Sequence, residues 1–109
     1  MNITIGALQA YLSGRYGGWA SEQSLFMKLV EELGEVAEVL NKRAGRKAPG
    51  GDDLQAQLGA ELADMLHYIV AIAAINGIDL NGTILQKDKV ASIKYHHEIN
   101  LETFLSDMT

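Results

Sequence analysis

The sequence contains no cysteine and only one proline, and aromatic residues make up 6% of it. The absence of cysteine excludes a disulfide framework, a thiolate nucleophile and a zinc–thiolate site, and it is compatible with the cytoplasmic location that we expect. The first residues, Met1 to Thr4, lack a basic segment followed by an apolar run, so we also expect no signal peptide.

Long apolar runs and an excess of basic residues are missing as well. The longest apolar run is Ile69–Ile75, which is far shorter than the roughly 20 residues that cross a bilayer, so we expect no membrane partner. The formal net charge is −5, and no basic stripe offsets it, which argues against a nucleic-acid partner. If the substrate is a polyphosphate, a bound cation has to reverse the local sign of the charge.

The residues that are present predict one all-α domain over 1–109. Hydrophobic residues make up 48% of the chain, and their spacing is helical in four segments, with a fifth short helix after Asn100 and no convincing strand. The four predicted helices span 3–13, 22–44, 53–76 and 79–95. We therefore expect a four- to five-helix bundle in which the second and third helices form an antiparallel hairpin.

Turn and cap residues set the limits of these helices. Gly14, Gly17 and Gly18 predict a break around Tyr16 and Trp19, and Ser21 is a good N-cap for the second helix. The stretch from Gly45 to Gly51, with Arg46, Lys47 and Pro49, is interpreted as a mobile loop. Asp52 and Asp53 are the candidate caps of the third helix, and Gly77 is its predicted C′ residue.

The third helix is apolar nearly all round from Met65 to Ile75. A helix of that kind is buried on more than one side, and a chain of this length has little else with which to cover it. We therefore expect a homodimer or a homotetramer.

Two acidic motifs lie on the predicted central helices. The first is Glu31-Glu32-Leu33-Gly34-Glu35, and the second is Glu61-Leu62-Ala63-Asp64. In each motif two carboxylates three residues apart share a helix face, and they are embedded among apolar residues, where an unpaired charge is costly. Because the two helices run antiparallel, their middles come level and the carboxylates meet.

Such a set of carboxylates is a natural cage for Mg²⁺, which takes oxygen ligands, with Mn²⁺ as a possible substitute. We take Glu32, Glu35, Glu61 and Asp64 as the candidate ligands. Glu35 also belongs to a second acidic row with Glu31 and Glu38, so these three are the candidate catalytic carboxylates that hold a water or accept its proton. The chemistry that follows is metal-assisted attack of water on phosphorus.

Two other interpretations of the acids remain open. A di-metal redox or storage bundle is disfavoured because a ferritin-like site needs Glu-x-x-His twice, and only Asp64-x-x-His67 is present. The acids of a purely structural helical module would be solvated surface charge.

The combined pattern resembles the MazG-like nucleoside triphosphate pyrophosphohydrolases, in the compact all-α group that includes dCTP pyrophosphatases. The resemblance covers about residues 20–96. It rests on the two acidic motifs, on Tyr68 and Ile78-Asp79-Leu80, and on the segment from Lys87 to Tyr95. It implies Mg²⁺-dependent cleavage of a (d)NTP to a (d)NMP and pyrophosphate, a reaction that cleans the nucleotide pool, in a dimer or tetramer.

The resemblance also implies roles for individual residues. The four candidate ligands match the family's metal ligands, and Lys87, Lys94 and Tyr95 match positions that contact the substrate phosphates. The chain departs from the family at Ala91, where Asn is common, and at Lys94, where Arg is common. A lysine is a point charge and not a bidentate fork, so the nucleotide preference is left open.

Three rings near the acids are weighed separately. Trp19 either stacks on a base or closes the core, and Tyr68, one turn after Asp64, is expected to face the nucleotide. His67 is interpreted as a satisfied core or interface histidine and not as a ligand.

Overall fold

In the computed structural model, which describes residues 1–45, 50 and 53–108, the chain forms five helices. They are α1 (Ile5–Tyr16), α2 (Glu22–Arg43), α3 (Leu54–Ile75), α4 (Leu80–Lys94) and α5 (Leu101–Asp107). The described part of the chain contains no strand, so the all-α prediction is confirmed. The predicted loop residues Arg46, Lys47 and Pro49 and the candidate cap Asp52 lie outside the described residues.

Side-chain caps start α2, α3 and α5 where the sequence predicted a start, whereas α1 starts two residues later than predicted, at Ile5 after its N-cap Thr4. Ser21, Asp53 and Asn100 are the N-caps of α2, α3 and α5, and each accepts a hydrogen bond from a backbone N–H three residues on. The predicted end of the first helix is wrong, because α1 continues through Gly14 to Tyr16. Tyr16 is buried in the core, and that contact extends the helix by a turn despite the glycine.

The second and third helices pack along their length and run antiparallel. Phe26, near the start of α2, lies beside Ile72 near the end of α3, whereas Glu32 in mid-α2 lies beside Glu61 and Asp64. The predicted central hairpin is therefore confirmed. Its register places the two acidic motifs opposite each other.

Helix α1 covers one face of α3 and closes a small core. Leu12, Val70 and Ala71 are fully buried there, and Leu25 and Tyr16 complete the cluster. In the first half of α1, the Gln9 side chain hydrogen-bonds to the Ile78 carbonyl in the turn after α3 and to the N–H of Leu80, the first residue of α4. These contacts fix α1 antiparallel to α3.

The last two helices form an arm that has its main contacts with each other and with α1. The Asp88 carboxylate accepts a hydrogen bond from the Leu101 N–H at 2.6 Å and so ties α5 to α4. The Cα radius of gyration is 17.0 Å, whereas a compact chain of this length has about 13 Å. The chain is therefore open, with α4 standing away from the central hairpin.

Large apolar side chains are exposed on both central helices. The exposed residues of α2 and α3 are Phe26, Met27, Val30, Leu33, Leu40, Leu62, Leu66 and Ile69. Among the described residues, α3 is the one helix that is long and apolar enough to cross a bilayer, with a mean hydropathy of 1.6 over 18 residues. It carries Glu61 and Asp64, and α1 and α2 pack on it.

The cap of α3 gives a direct test of its start. Asp53 Oδ1 accepts from the Ala56 N–H at 3.0 Å, so Asp53→Ala should lower the free energy of unfolding by about 1 kcal/mol. Asp53→Asn keeps a capping oxygen and is the matched control. Urea unfolding of both variants measures the difference, and equal stabilities would show that the cap does not hold this helix.

Candidate metal and nucleotide site

Three carboxylates meet between α2 and α3. Oxygens of Glu32, Glu61 and Asp64 all lie within 4.8 Å of one another, and we call this group the carboxylate cluster. Glu32 and Glu61 are half-buried, whereas Asp64 is exposed on the open side. Packing between α2 and α3 holds the backbone positions of these three residues close together.

The inner oxygens of the cluster are not satisfied by the protein. Glu32 Oε2 and Glu61 Oε2 are buried and have no hydrogen-bond partner among the described residues. A buried oxygen without a partner is costly, and the carboxylates that carry these two oxygens form, with Asp64, a donor set of hard oxygen ligands. The cluster therefore fits a divalent cation.

The crowding of the carboxylates also affects their pKa values. Hydrogen bonds with Glu35 and Glu32, together with desolvation and the charges of both neighbours, raise the pKa of Glu61 to about 7. For Glu32, a hydrogen bond with Glu61 lowers the pKa. Desolvation and the charges of Glu35 and Asp64 outweigh that effect, so the net shift is upward. Without a cation, the cluster holds a proton well above the usual range of a carboxyl group.

The fourth candidate ligand, Glu35, lies beside the cluster and not within it. It interacts with Glu32 and Glu61 through hydrogen bonds and charge, but its side chain is exposed and is not one of the three that converge. The other two candidate catalytic acids, Glu31 and Glu38, are exposed on the outer side of α2. Glu31 pairs with Lys28 at 3.4 Å.

A cavity of about 300 Å³ opens one turn from the cluster. We call it the aromatic cavity. It is lined by Tyr16, Trp19, Ala20, Ser21, Ser24, Leu25, Lys28 and Tyr68. Desolvation, the neighbouring Tyr16 phenol and the charges of Glu32 and Asp64 raise the pKa of Tyr68, although Lys28 acts the other way. Lys28 and Tyr68 of the cavity each lie four residues from a member of the cluster, Glu32 and Asp64, so the cavity and the cluster are neighbours along the same two helices.

The structure shows the surroundings of two of the three rings, Trp19 and His67. Trp19 is 73% exposed, so it does not close the core, and its indole N–H donates to the Arg15 carbonyl at 2.8 Å. His67 is half-buried, and its Nε2 lies 2.7 Å from the Tyr16 hydroxyl, so this nitrogen has a hydrogen-bond partner within the fold.

Sequence reasoning missed two residues of the site. Lys28 lies four residues before Glu32, which puts both on one face of α2, and this spacing was the signal that pointed to it. Tyr16 was assigned to a glycine-rich break, and nothing in its local sequence indicates that it packs on α3.

The predicted phosphate contacts on α4 lie elsewhere in the single chain. Lys87, Lys94 and Tyr95 line a separate cavity of about 300 Å³ with Gln86, Val90 and Ala91, and the Lys94 ammonium lies 5.3 Å from the Tyr95 ring centre. Within the described residues, the structure does not bring this group to the carboxylate cluster.

Crowding of the carboxylates predicts that the stability of the metal-free protein depends on pH in an unusual direction. Glu61 has a folded pKa of about 7, against an ordinary 4.5, so the folded state binds more protons than the unfolded state between these values. Stability should therefore fall as the pH rises through this window, and Mg²⁺ should restore it above pH 7. Thermal unfolding across pH 4–8 in EDTA and in Mg²⁺ measures both effects.

The Glu61→Gln variant is the control for that profile. It cannot ionise at position 61, so its melting temperature should depend less on pH between 4.5 and 7 and respond less to Mg²⁺. Identical profiles for the variant and the wild type would contradict this account of the cluster.

Comparison with known proteins agrees with this geometry. The family model for the MazG nucleotide pyrophosphohydrolase domain matches residues 20–93, a range that contains the carboxylate cluster and most of α4. Among curated proteins, dCTP pyrophosphatase 1 from Homo sapiens is 37% identical over 76 residues. That match covers 67% of this chain but 45% of the human protein, so the chain spans less than half of its relative.

Among solved structures, iMazG from Vibrio DAT 722 superposes with a TM-score of 0.65 at 29% identity, covering 85% of this chain and 98% of that one. The family match includes both acidic motifs and the hairpin that brings them together. This chain belongs to the MazG nucleotide pyrophosphohydrolase domain family.

Proposed function

We propose that the protein is a Mg²⁺-dependent pyrophosphohydrolase that converts a nucleoside or deoxynucleoside triphosphate to its monophosphate and pyrophosphate. The observation that carries this proposal is the carboxylate cluster with two buried, unpartnered oxygens beside a cavity lined by aromatic rings. The family supports the reaction class. House-cleaning of the nucleotide pool in the cytoplasm is the role that we assign to it.

Glu32, Glu61 and Asp64 would hold the cation, with Glu35 as the fourth ligand from the same helix face as Glu32. Mg²⁺ supplies neutralisation of phosphate charge and lowers the pKa of bound water, and Mn²⁺ is the expected substitute. The acidic surface of the chain makes that neutralisation necessary, because carboxylates alone repel a triphosphate.

The side chains of the protein supply the remaining functions, which are proton acceptance and binding of the base and the phosphates. Glu35 is exposed next to the cluster, where it can accept the proton of the attacking water. Glu31 and Glu38 are the further candidate bases on α2. Trp19 and Tyr68 offer ring faces to the base, and Lys28, which lines the same cavity, offers an ammonium to the phosphates.

The phosphate contacts of α4 require a second copy of the chain in this proposal. Lys87, Lys94 and Tyr95 line a cavity apart from the carboxylate cluster, and the arm that carries them stands away from the hairpin. The exposed apolar residues of α2 and α3 give a surface that an obligate dimer would bury. We therefore assign a homodimer or homotetramer in which α4 of one copy faces the cluster of another.

The reaction is tested by measuring monophosphate and pyrophosphate from a panel of dNTPs and NTPs in Mg²⁺ and in EDTA. We expect release in Mg²⁺ alone. Glu35→Gln and Asp64→Asn should lose turnover by at least about a hundredfold while keeping the fold, because each removes one metal-binding carboxylate. Near-normal turnover in either variant would contradict the ligand assignment.

Mixing of inactive variants tests the contribution of the second copy. Asp64→Asn and the double variant Lys87→Ala/Lys94→Ala should each be impaired alone. After subunit exchange at equal amounts, about a quarter of the sites of a dimer should combine an intact cluster with an intact α4 and regain activity. No gain on mixing would mean that each chain builds its site alone.

A further inference from the structure

Residues Ile78 to Leu80 connect α3 to α4, and we call this segment the joint. Gly77, just before it, has a φ of +64°, in the left-handed region that glycine adopts without strain. The helical hydrogen bonds of α4 begin at the Asp79 carbonyl, which accepts from the Thr83 N–H. The direction in which the arm leaves α3 therefore depends on what holds the joint.

The Gln9 side chain of α1 holds the joint at two points. Its amide N–H donates to the Ile78 carbonyl, and its amide oxygen accepts from the Leu80 N–H at 3.4 Å. The Leu80 N–H is the first of α4 and has no acceptor within its own helix. Because a side-chain amide has both a donor and an acceptor, Gln9 fixes the backbone on both sides of Asp79.

The other contacts of the arm do not set its direction. Leu80 packs against the core cluster and anchors one point of α4, but beyond it the arm has its main contacts within itself and with α1. A cavity of about 460 Å³ lies beside the joint and is lined in part by Gln9, Ala10, Gly77 and Asn81. Side chains therefore do not fill the space next to the joint, and packing there does not oppose a rotation of α4.

The length of α4 amplifies any change at the joint. At about 1.5 Å per residue, Lys94 lies about 21 Å along the helix axis from Leu80, and Lys87 lies about 11 Å from it. A rotation of about 10° at the joint would move Lys94 by about 4 Å and Lys87 by about 2 Å. Charge-assisted hydrogen bonds are only about 2.7–2.9 Å long, so such a rotation would break a phosphate contact of Lys94.

From this arrangement we infer that Gln9 is a positioning residue, which fixes the direction of α4 and with it the location of Lys87 and Lys94. Gln9 belongs neither to the carboxylate cluster nor to the lining of the aromatic cavity, so it acts through the two lysines. The inference rests on the proposed function for the role of α4 in binding the substrate phosphates.

The position of the arm is measured directly with spin labels, which two engineered cysteines can carry because the chain has none of its own. The labelled background is Gln55→Cys on α3 with Lys89→Cys on α4, both at exposed positions, diluted with unlabelled protein so that distances within one chain dominate. Gln9→Met keeps the length of the side chain but lacks the amide. In pulsed electron paramagnetic resonance it should broaden the distance distribution or shift its mean by about 2 Å. Ser13→Ala changes another residue that lines the same cavity and should leave the distribution as it is in the labelled background.

Steady-state kinetics tests the consequence for the substrate. Gln9→Met should raise KM for the triphosphate about tenfold and change kcat by less than about threefold, because a phosphate contact is lost while the cluster is retained. Lys94→Ala should also raise KM, and adding Gln9→Met to it should have little further effect, because both changes remove the same contact. A merely structural role of Gln9 would lower the fraction of active protein, and so kcat, and would multiply with the effect of Lys94→Ala.

Several results would overturn the inference. These are a distance distribution that is the same in Gln9→Met as in the labelled background, an equal change in Ser13→Ala, or independent effects of Gln9→Met and Lys94→Ala on KM. The inference and the proposed function fail separately. If no triphosphate released pyrophosphate in Mg²⁺, the function would be contradicted, and the label distances would still decide whether Gln9 fixes the direction of α4.

Discussion

Repulsion among carboxylates that packing holds together is the constraint on which the rest of this structure depends. Apolar contacts along α2 and α3 bring Glu32, Glu61 and Asp64 to within 4.8 Å of one another. Like charges at such distances raise each other's pKa, and Glu61 reaches about 7. The fold therefore accepts an unfavourable charge arrangement that a bound cation would make favourable.

The groups around the cluster differ in chemistry from one side to the other. On one side, the aromatic cavity offers ring faces and a hydrogen-bonded phenol, and Lys28 lies between it and the acids along α2. Lys87 and Lys94 of α4 line a separate cavity. The arm formed by α4 and α5 has its main contacts within itself and with α1, and not with the hairpin. A single chain thus brings the carboxylate cluster and the aromatic cavity together but leaves Lys87 and Lys94 apart from them, which is the physical argument for the second copy that we propose.

Much of the fold and part of the site were predictable from the sequence. Ser21, Asp53 and Asn100 act through local hydrogen bonds to their own helices, so their roles follow from short-range chemistry. The meeting of the two acidic motifs followed from helix length and hairpin geometry. The burial of Tyr16 depends on α1 packing on α3, and the separate location of Lys87 and Lys94 depends on the path of the chain after Gly77, neither of which is encoded locally.

Within the first acidic motif, the burial of each carboxylate likewise depends on tertiary packing and could not be predicted from the sequence pattern. Glu32 and Glu35 are three residues apart and equivalent in a sequence pattern, yet the roll of α2 against α3 half-buries the first and exposes the second. Anomalous diffraction from crystals soaked in Mn²⁺ tests the central claim most directly. The account predicts a peak between the carboxylates of Glu32, Glu61 and Asp64, and a fully occupied Mn²⁺ bound elsewhere, with these three carboxylates free of metal, would contradict it.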